Sequence, residues 1–182
     1  MRADLDTYTW HPESVTNHES PETGMLLSEV MSILNALRSA GCRVWIAGGW
    51  AVDALVGHQT RVHRDLDLAL DADHQVTALQ LLHERGYVVE TDWRPVRLEL
   101  AAPGRGWVDL HPVSFVDGVG LQADLTGGHF TYPAEAFTEG ALEGARVQCL
   151  SREQQISFRS GYELREVDKH DLDLLRTVKP LV

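Results

Sequence analysis

The sequence predicts an α+β protein, a mixed β-sheet with helices packed on one side and a helical C-terminal end. Three observations predict it. Apolar residues recur at helical spacing near both ends of the chain, and the stretch "DLDLAL" alternates strictly with period two. Between these, the middle is a series of short β-type runs divided by Gly and Pro.

Residues 1–22 are polar and aperiodic and read as an N-terminal tail. A helix is expected from "SPET", with Ser20 as N-cap and Pro21 at the first helical position. Leu27, Val30 or Met31, Leu34 and Leu37 give it an apolar stripe, and Gly41 ends it. "RVWIAG" reads as a short buried strand and "GWAVDALVG" as a helix entered through the Gly48-Gly49 turn. "DLDLAL" is the next strand, and "ADHQVTALQLLHERG" an amphipathic helix capped by Asp73 and stopped by Gly86. The β-type runs that follow are "YVVETDW", "RPVRLELAA", "GWVDLHPVSFVDG", "HFTY" and "GARVQCL". Ser151 and Gln154 suit a capping box. A last helix runs through "YELREVDKHDLDLLR" on a stripe of Leu164, Val167, Leu174 and Leu175. Residues 23–150 thus read as an α/β core and 151–182 as C-terminal helices.

The chain has 182 residues, enough for one domain with a real core. Its net charge of −11, from 27 acidic against 16 basic residues, disfavours a long nucleic acid and suits a cationic small molecule. Cys42 and Cys149 have no metal-type spacing and read as free thiols. No apolar run reaches the roughly 18 residues of a membrane span, and the N-terminus has no apolar signal region, so a cytoplasmic protein without membrane partners is expected.

The acidic strand carries the functional signal. Asp65, Asp67 and Ala69 share one face, opposite Leu66, Leu68 and Leu70. Two like charges at about 4 Å repel by roughly 1 kcal/mol in water and about 4 at an effective dielectric of 20, so solvent, a proton, a basic neighbour or a metal ion must offset them. "GWVDLHPV" repeats the pattern, with Trp107, Asp109 and His111 on one face. If the two strands pair, Asp65, Asp67 and Asp109 make an oxygen site for Mg²⁺. Gly48 and Gly49, between a strand and a helix, leave bare amides that can face a phosphate at the helix N-terminus.

Gly-Gly, a short helix, Asp-x-Asp and a third Asp on a later strand resemble the nucleotidyltransferase superfamily that includes DNA polymerase beta and the antibiotic nucleotidyltransferases. "GGWAVDALVGHQTRVHRDLDL", "GYVVETDWRPVRLEL", "VDLHP" and "GYELREVDKHDLDLL" are similar to the lincosamide nucleotidyltransferases, over about residues 25–176. Trp50 departs from the Ser that follows the glycine pair in many superfamily members. The resemblance implies a nucleotidyltransferase-type sheet and Mg²⁺-dependent transfer of a nucleoside monophosphate from ATP or GTP to a hydroxyl of lincomycin or clindamycin, releasing pyrophosphate. It implies two Mg²⁺ ions when the NTP is bound, and it admits a homodimer that completes the pocket.

In that reading Asp65 and Asp67 are metal ligands, and Asp109 is a metal ligand or the general base. Gly48, Gly49, Arg61, Arg64 and Lys169 face the nucleotide, the cations on its phosphates. His63, His111, Trp93 and Tyr162 are weaker candidates for substrate contact. An aminoglycoside acceptor is the alternative, followed by a catalytically silent nucleotide-binding relative.

Overall fold

The computed structural model describes residues 24–178. The helix expected first is α1, Leu27–Ser39, and the proposed Ser20 cap and Pro21 lie outside the described residues. Its buried face is Val30, Ile33 and Leu37; Leu27, Met31 and Leu34 pack only at its margin. Gly41, at φ +77, turns the chain into β1, Val44–Ile46. There follow α2, Gly48–Val56, and β2, Asp65–Asp71. A 3₁₀ turn, Ala72–His74, leads into α3, Gln75–Glu84. The cap expected at Asp73 is made one turn earlier, where Asp71 accepts from the Asp73 backbone N–H and so starts the 3₁₀ turn.

The remaining strands are β3, Val88–Trp93; β4, Arg97–Ala102; β5, Gly106–Val116; β6, Val119–Ala123; β7, His129–Tyr132; β8, Phe137–Leu142; and β9, Ala145–Leu150. β6 and β8 were not expected from sequence: "VGLQA" and "FTEGAL" are diluted by Gly and Ala, and their partners rather than their composition make them strands. The chain closes with α4, Arg152–Phe158, and α5, Glu166–Thr177. Ser151 caps α4 through the Gln154 N–H, but its own N–H bonds the Ala136 carbonyl, so the capping box is half formed.

The mixed sheet runs β3-β4-β5-β2-β1-β9-β8, with β6 and β7 continuing from the far end of β5. β2 pairs in parallel with β5 and antiparallel with β1. Leu66, Leu68 and Leu70 are fully buried beneath α1, α2 and α3 in the main core. A smaller cluster lies on the opposite face, where Ala69, Val113, Tyr132 and Leu150 meet Phe158 of α4. Cys42 and Cys149 are free and buried. No helix among the described residues is long and apolar enough to cross a membrane.

Candidate active site

The parallel ladder sets the acidic cluster. Asp67 pairs in register with Asp109, Asp65 with Trp107, and Ala69 with His111. One oxygen each of Asp67 and Asp109 and a ring nitrogen of His111 lie within 4.8 Å of one another. Asp65 sits one pleat away and is held by Arg64, 3.2 Å from its carboxylate. The close trio is therefore Asp67, Asp109 and His111 rather than the three aspartates, because the register places Trp107, not an acid, opposite Asp65.

Crowded carboxylates titrate abnormally. Burial, then the Asp67 charge, raises the Asp109 pKa to about 6 against the pull of Arg97, whose Nη1 lies 2.8 Å from Oδ2. Burial and Asp67 also raise Asp65. Burial pushes Asp67 upward too, but the hydrogen bond and charge of His111 outweigh it and hold Asp67 below the usual carboxylate range. Asp109 Oδ1 is buried with no hydrogen-bond partner among the described residues. An orphaned acceptor beside a second carboxylate fits a hard cation that prefers oxygen ligands, Mg²⁺ above all.

The first turn of α2 lies against this cluster. Gly48 has φ +60, and a Cβ there would overlap Asp67 Oδ2. At Gly49 a Cβ would come 2.6 Å from His63 Cε1 and 2.5 Å from Arg61 Nη2. Both glycines are thus required by close packing, and they leave the helix start bare: Ala47 makes no side-chain cap and no acid occupies the first turn. Below it Asp53, fully buried, accepts from Thr60 N–H and Oγ1 and pairs with His63 Nε2 at 2.5 Å. His63 is 2% exposed and packs against Trp50 with the rings tilted, so it braces the turn from beneath.

Helix α5 covers the other wall, with a buried face unlike the apolar stripe expected. Asp168, Asp171 and Leu175 are buried while Val167 is 39% exposed. Each acid is matched to guanidinium groups. Asp171 accepts from Arg61 at 3.1 and 3.2 Å and from Arg159 at 2.7 Å. Asp168 takes the Arg165 side chain and N–H, which brings its pKa to about 2. Lys169 turns the other way, its ammonium 2.6 Å from Glu166 on the solvated side. Tyr162 is 48% exposed at the cleft rim, and Trp93, equally exposed on β3, lies under Arg97 with 4.7 Å to the ring centroid.

Two compartments meet at Gly48 and Asp67. The polar one, about 630 Å³, is lined by Arg61, Arg64, Arg97, Arg159 and Arg165 together with Asp65, Asp67 and Asp109. The other, about 280 Å³, has aromatic walls of Phe130, Tyr132, Phe158 and Tyr162, with Gln155 and Arg159 between them. Gln155 Nε2 and Arg159 Nε are buried donors without partners among the described residues. Arg97, Gln122, Gln155 and Arg159 were missed in the sequence. "RLEL" did place Arg97 and Glu99 on one face, a usable signal; Arg159, just beyond α4, carries none.

Comparison with known proteins agrees with this architecture. Residues 29–175 match the family described as aminoglycoside-2''-adenylyltransferase. A lincosamide resistance protein of Staphylococcus haemolyticus is 36% identical over 151 residues, 82% of this chain and 94% of that protein. A 2''-aminoglycoside nucleotidyltransferase of Escherichia coli is 30% identical over 126 residues, 68% of this chain and 67% of its own length. The crystal structure of the lincosamide antibiotic adenylyltransferase LnuA with lincomycin bound superposes with a TM-score of 0.80 at 35% identity, covering 86% of this chain and all of the other. The crystal structure of ANT(2'')-Ia in complex with adenylyl-2''-tobramycin shares the fold, with a TM-score of 0.67 at 22% identity over 82% of this chain and 87% of that one.

Proposed function

This chain belongs to the aminoglycoside-2''-adenylyltransferase family and is a nucleotidyltransferase, and on that premise we propose that it moves a nucleoside monophosphate from an NTP, ATP or GTP, to a hydroxyl of a lincosamide. The observation that carries the chemistry is the in-register pair Asp67 and Asp109 beside the bare N-terminus of α2. The lincosamide assignment draws on the relative at 36% identity, which covers nearly its whole length, against 30% for the aminoglycoside enzyme.

In this reading the polar compartment takes the triphosphate. The α2 amides and the guanidinium groups of Arg61 and Arg159 face the β- and γ-phosphates, and Arg64 stands at the rim. The aromatic compartment takes the nucleobase, with Gln155 and Arg159 offering donors to it. The acceptor enters over Trp93 and Arg97, on the Asp109 side. Asp65, Asp67 and Asp109 would hold Mg²⁺, which when bound neutralises phosphate charge and steadies the attacking and leaving oxygens.

Asp109 takes the proton of the acceptor hydroxyl as the general base. The acceptor oxygen then bonds the α-phosphorus as the bond to the β-phosphate oxygen breaks. Pyrophosphate leaves against Arg61 and Arg159. A protonated antibiotic amine is drawn in by the net charge of −11.

The test incubates the protein with Mg²⁺, ATP or GTP, and either lincomycin or an aminoglycoside, following pyrophosphate and product mass, with Asp67→Asn in parallel. Nucleotidylated lincomycin that the variant does not make is the expected result. Product from the aminoglycoside alone moves the substrate and keeps the chemistry, and no product with either refutes the antibiotic reading.

A further inference from the structure

Asp171 is an acid where the chemistry calls for cations. It is 2% exposed, in the wall of the polar compartment beside Arg61 and Arg159. A fixed negative charge there repels phosphates, so its presence needs a reason. The hydrogen bonds supply one. Arg61 donates from Nε to Oδ1 at 3.1 Å and from Nη2 to Oδ2 at 3.2 Å, a two-point grip that fixes the plane of its guanidinium. Arg159 donates from Nη2 to the same Oδ2 at 2.7 Å. Burial pushes the Asp171 carboxyl upward, but the bonds and charges of the two arginines outweigh it and hold it below the usual carboxylate range.

A guanidinium carries five N–H donors. Arg61 gives one more to the Val62 carbonyl, and Arg159 gives both on Nη1 to the carbonyl oxygen and Oε1 of Gln155. Each arginine keeps one hydrogen on Nη2 without a partner among the described residues. Arg61 Nη2 stands 2.5 Å from the place a Gly49 Cβ would take, so it hangs over the first turn of α2. Arg159 lines both compartments, on the far side of the same carboxylate.

We infer that Asp171 is a positioning residue for the leaving pyrophosphate: it touches no substrate, but it ties Arg61 and Arg159 into one pair whose remaining donors face the phosphates. This inference rests on the reading of the polar compartment as the triphosphate site. Charge and geometry make opposite predictions for its loss. Without the carboxylate the net charge of the trio rises from +1 to +2, which by charge alone strengthens phosphate binding. Loosening the pair weakens it. An asparagine cannot reproduce the three bonds, because its amide nitrogen only donates.

The test uses the full chain with Mg²⁺ and two probes titrated by calorimetry. One is inorganic pyrophosphate, and the other is AMP or GMP, whichever the native protein binds more tightly. Asp171→Asn should weaken pyrophosphate binding about 10–100-fold and leave the monophosphate within about twofold. Asp171→Glu keeps the charge and the ion pairs but sets the arginines back by one methylene. It should fold as the native chain does and still lose roughly tenfold for pyrophosphate, so it decides the matter if Asp171→Asn does not fold. Asp173→Asn, on the solvated side with Arg176, should change neither probe beyond about twofold. Tighter or unchanged pyrophosphate binding in Asp171→Asn would overturn the inference, and so would native affinity in Asp171→Glu. Equal losses for both probes would also overturn it, since they mark a helix α5 that no longer seats. Native protein that binds no pyrophosphate overturns the triphosphate reading itself and the inference with it, an outcome that no variant result imitates.

Discussion

Replacing Gly48 by Ala separates two costs that glycine spares this site. Gly48 opens α2 at φ +60, and a methyl there would overlap Asp67 Oδ2 and lie 2.9 Å from its Cγ. The left-handed backbone alone costs an L-residue roughly 1–2 kcal/mol. At about 2–4 °C per kcal/mol for a chain of this size, Tm should fall by roughly 2–8 °C. The overlap acts on turnover instead. Asp67 must move by on the order of 1 Å to regain contact distance, and such a displacement costs about 100-fold, or ~2.7 kcal/mol of barrier. Gly57 provides the control: it ends the same helix at φ +103 with nothing within 4 Å of its would-be Cβ. Thermal melts and pyrophosphate release at saturating NTP and lincomycin measure both effects. Gly57→Ala should lose comparable stability and keep its kcat. Native turnover in Gly48→Ala, or equal loss of turnover in both variants, would refute the reasoning.

Other expectations follow from the same geometry. Arg159→Ala removes a charged hydrogen-bond partner worth about 1.5–3 kcal/mol, so KM for the NTP should rise roughly 10–100-fold with little change for the acceptor. Lys169→Ala, off the cleft, should stay within about twofold in steady-state kinetics. Asp109 is raised to about 6 from a usual value near 4, so its folded form prefers the proton: its favourable contribution is whole below about pH 4 and lost as pH rises through about 6. Metal-free Asp109→Asn should therefore melt a few degrees above the native chain at pH 8 and lose that advantage by pH 4, while making no product. Asp53→Ala strands two Thr60 donors and His63 in the interior, and a loss of about 3 kcal/mol should lower Tm by on the order of 10 °C in a melt.

What could be read in the sequence was what local periodicity encodes. The alternation of "DLDLAL" placed three leucines in the core and two aspartates opposite them, as found. That Asp67 and not Asp65 would stand beside Asp109 depends on a register between strands separated by α3 and a hairpin, which no local pattern carries. The polar buried face of α5 was illegible for a different reason. Asp168 and Asp171 look like a solvated face until Arg165, the N-cap of the same helix, takes Asp168 and Arg61 and Arg159 arrive from elsewhere to satisfy Asp171. Lys169 was expected at the phosphates from its place in a string similar to the family's; helical phase sets its ammonium 2.6 Å from Glu166, three residues back. The spacing of His111 from Asp109 is local, whereas the contacts behind its ring, Gln122 and through it Tyr132, are brought in by strands β6 and β7.

The direct pairing of β2 with β5 has an evolutionary corollary. Ladder spacing, not loop conformation, gauges the distance between Asp67 and Asp109, and the intervening excursion through α3, β3 and β4 hangs outside that gauge. β3 is the outermost strand and keeps most of its side chains in solvent, including Trp93. With the acceptor entering over Trp93 as proposed, drift along β3 would reshape that entry while the spacing of Asp67 and Asp109 stays fixed. A lineage built this way can exchange one drug for another by rewriting a margin, with no need to reinvent its chemistry.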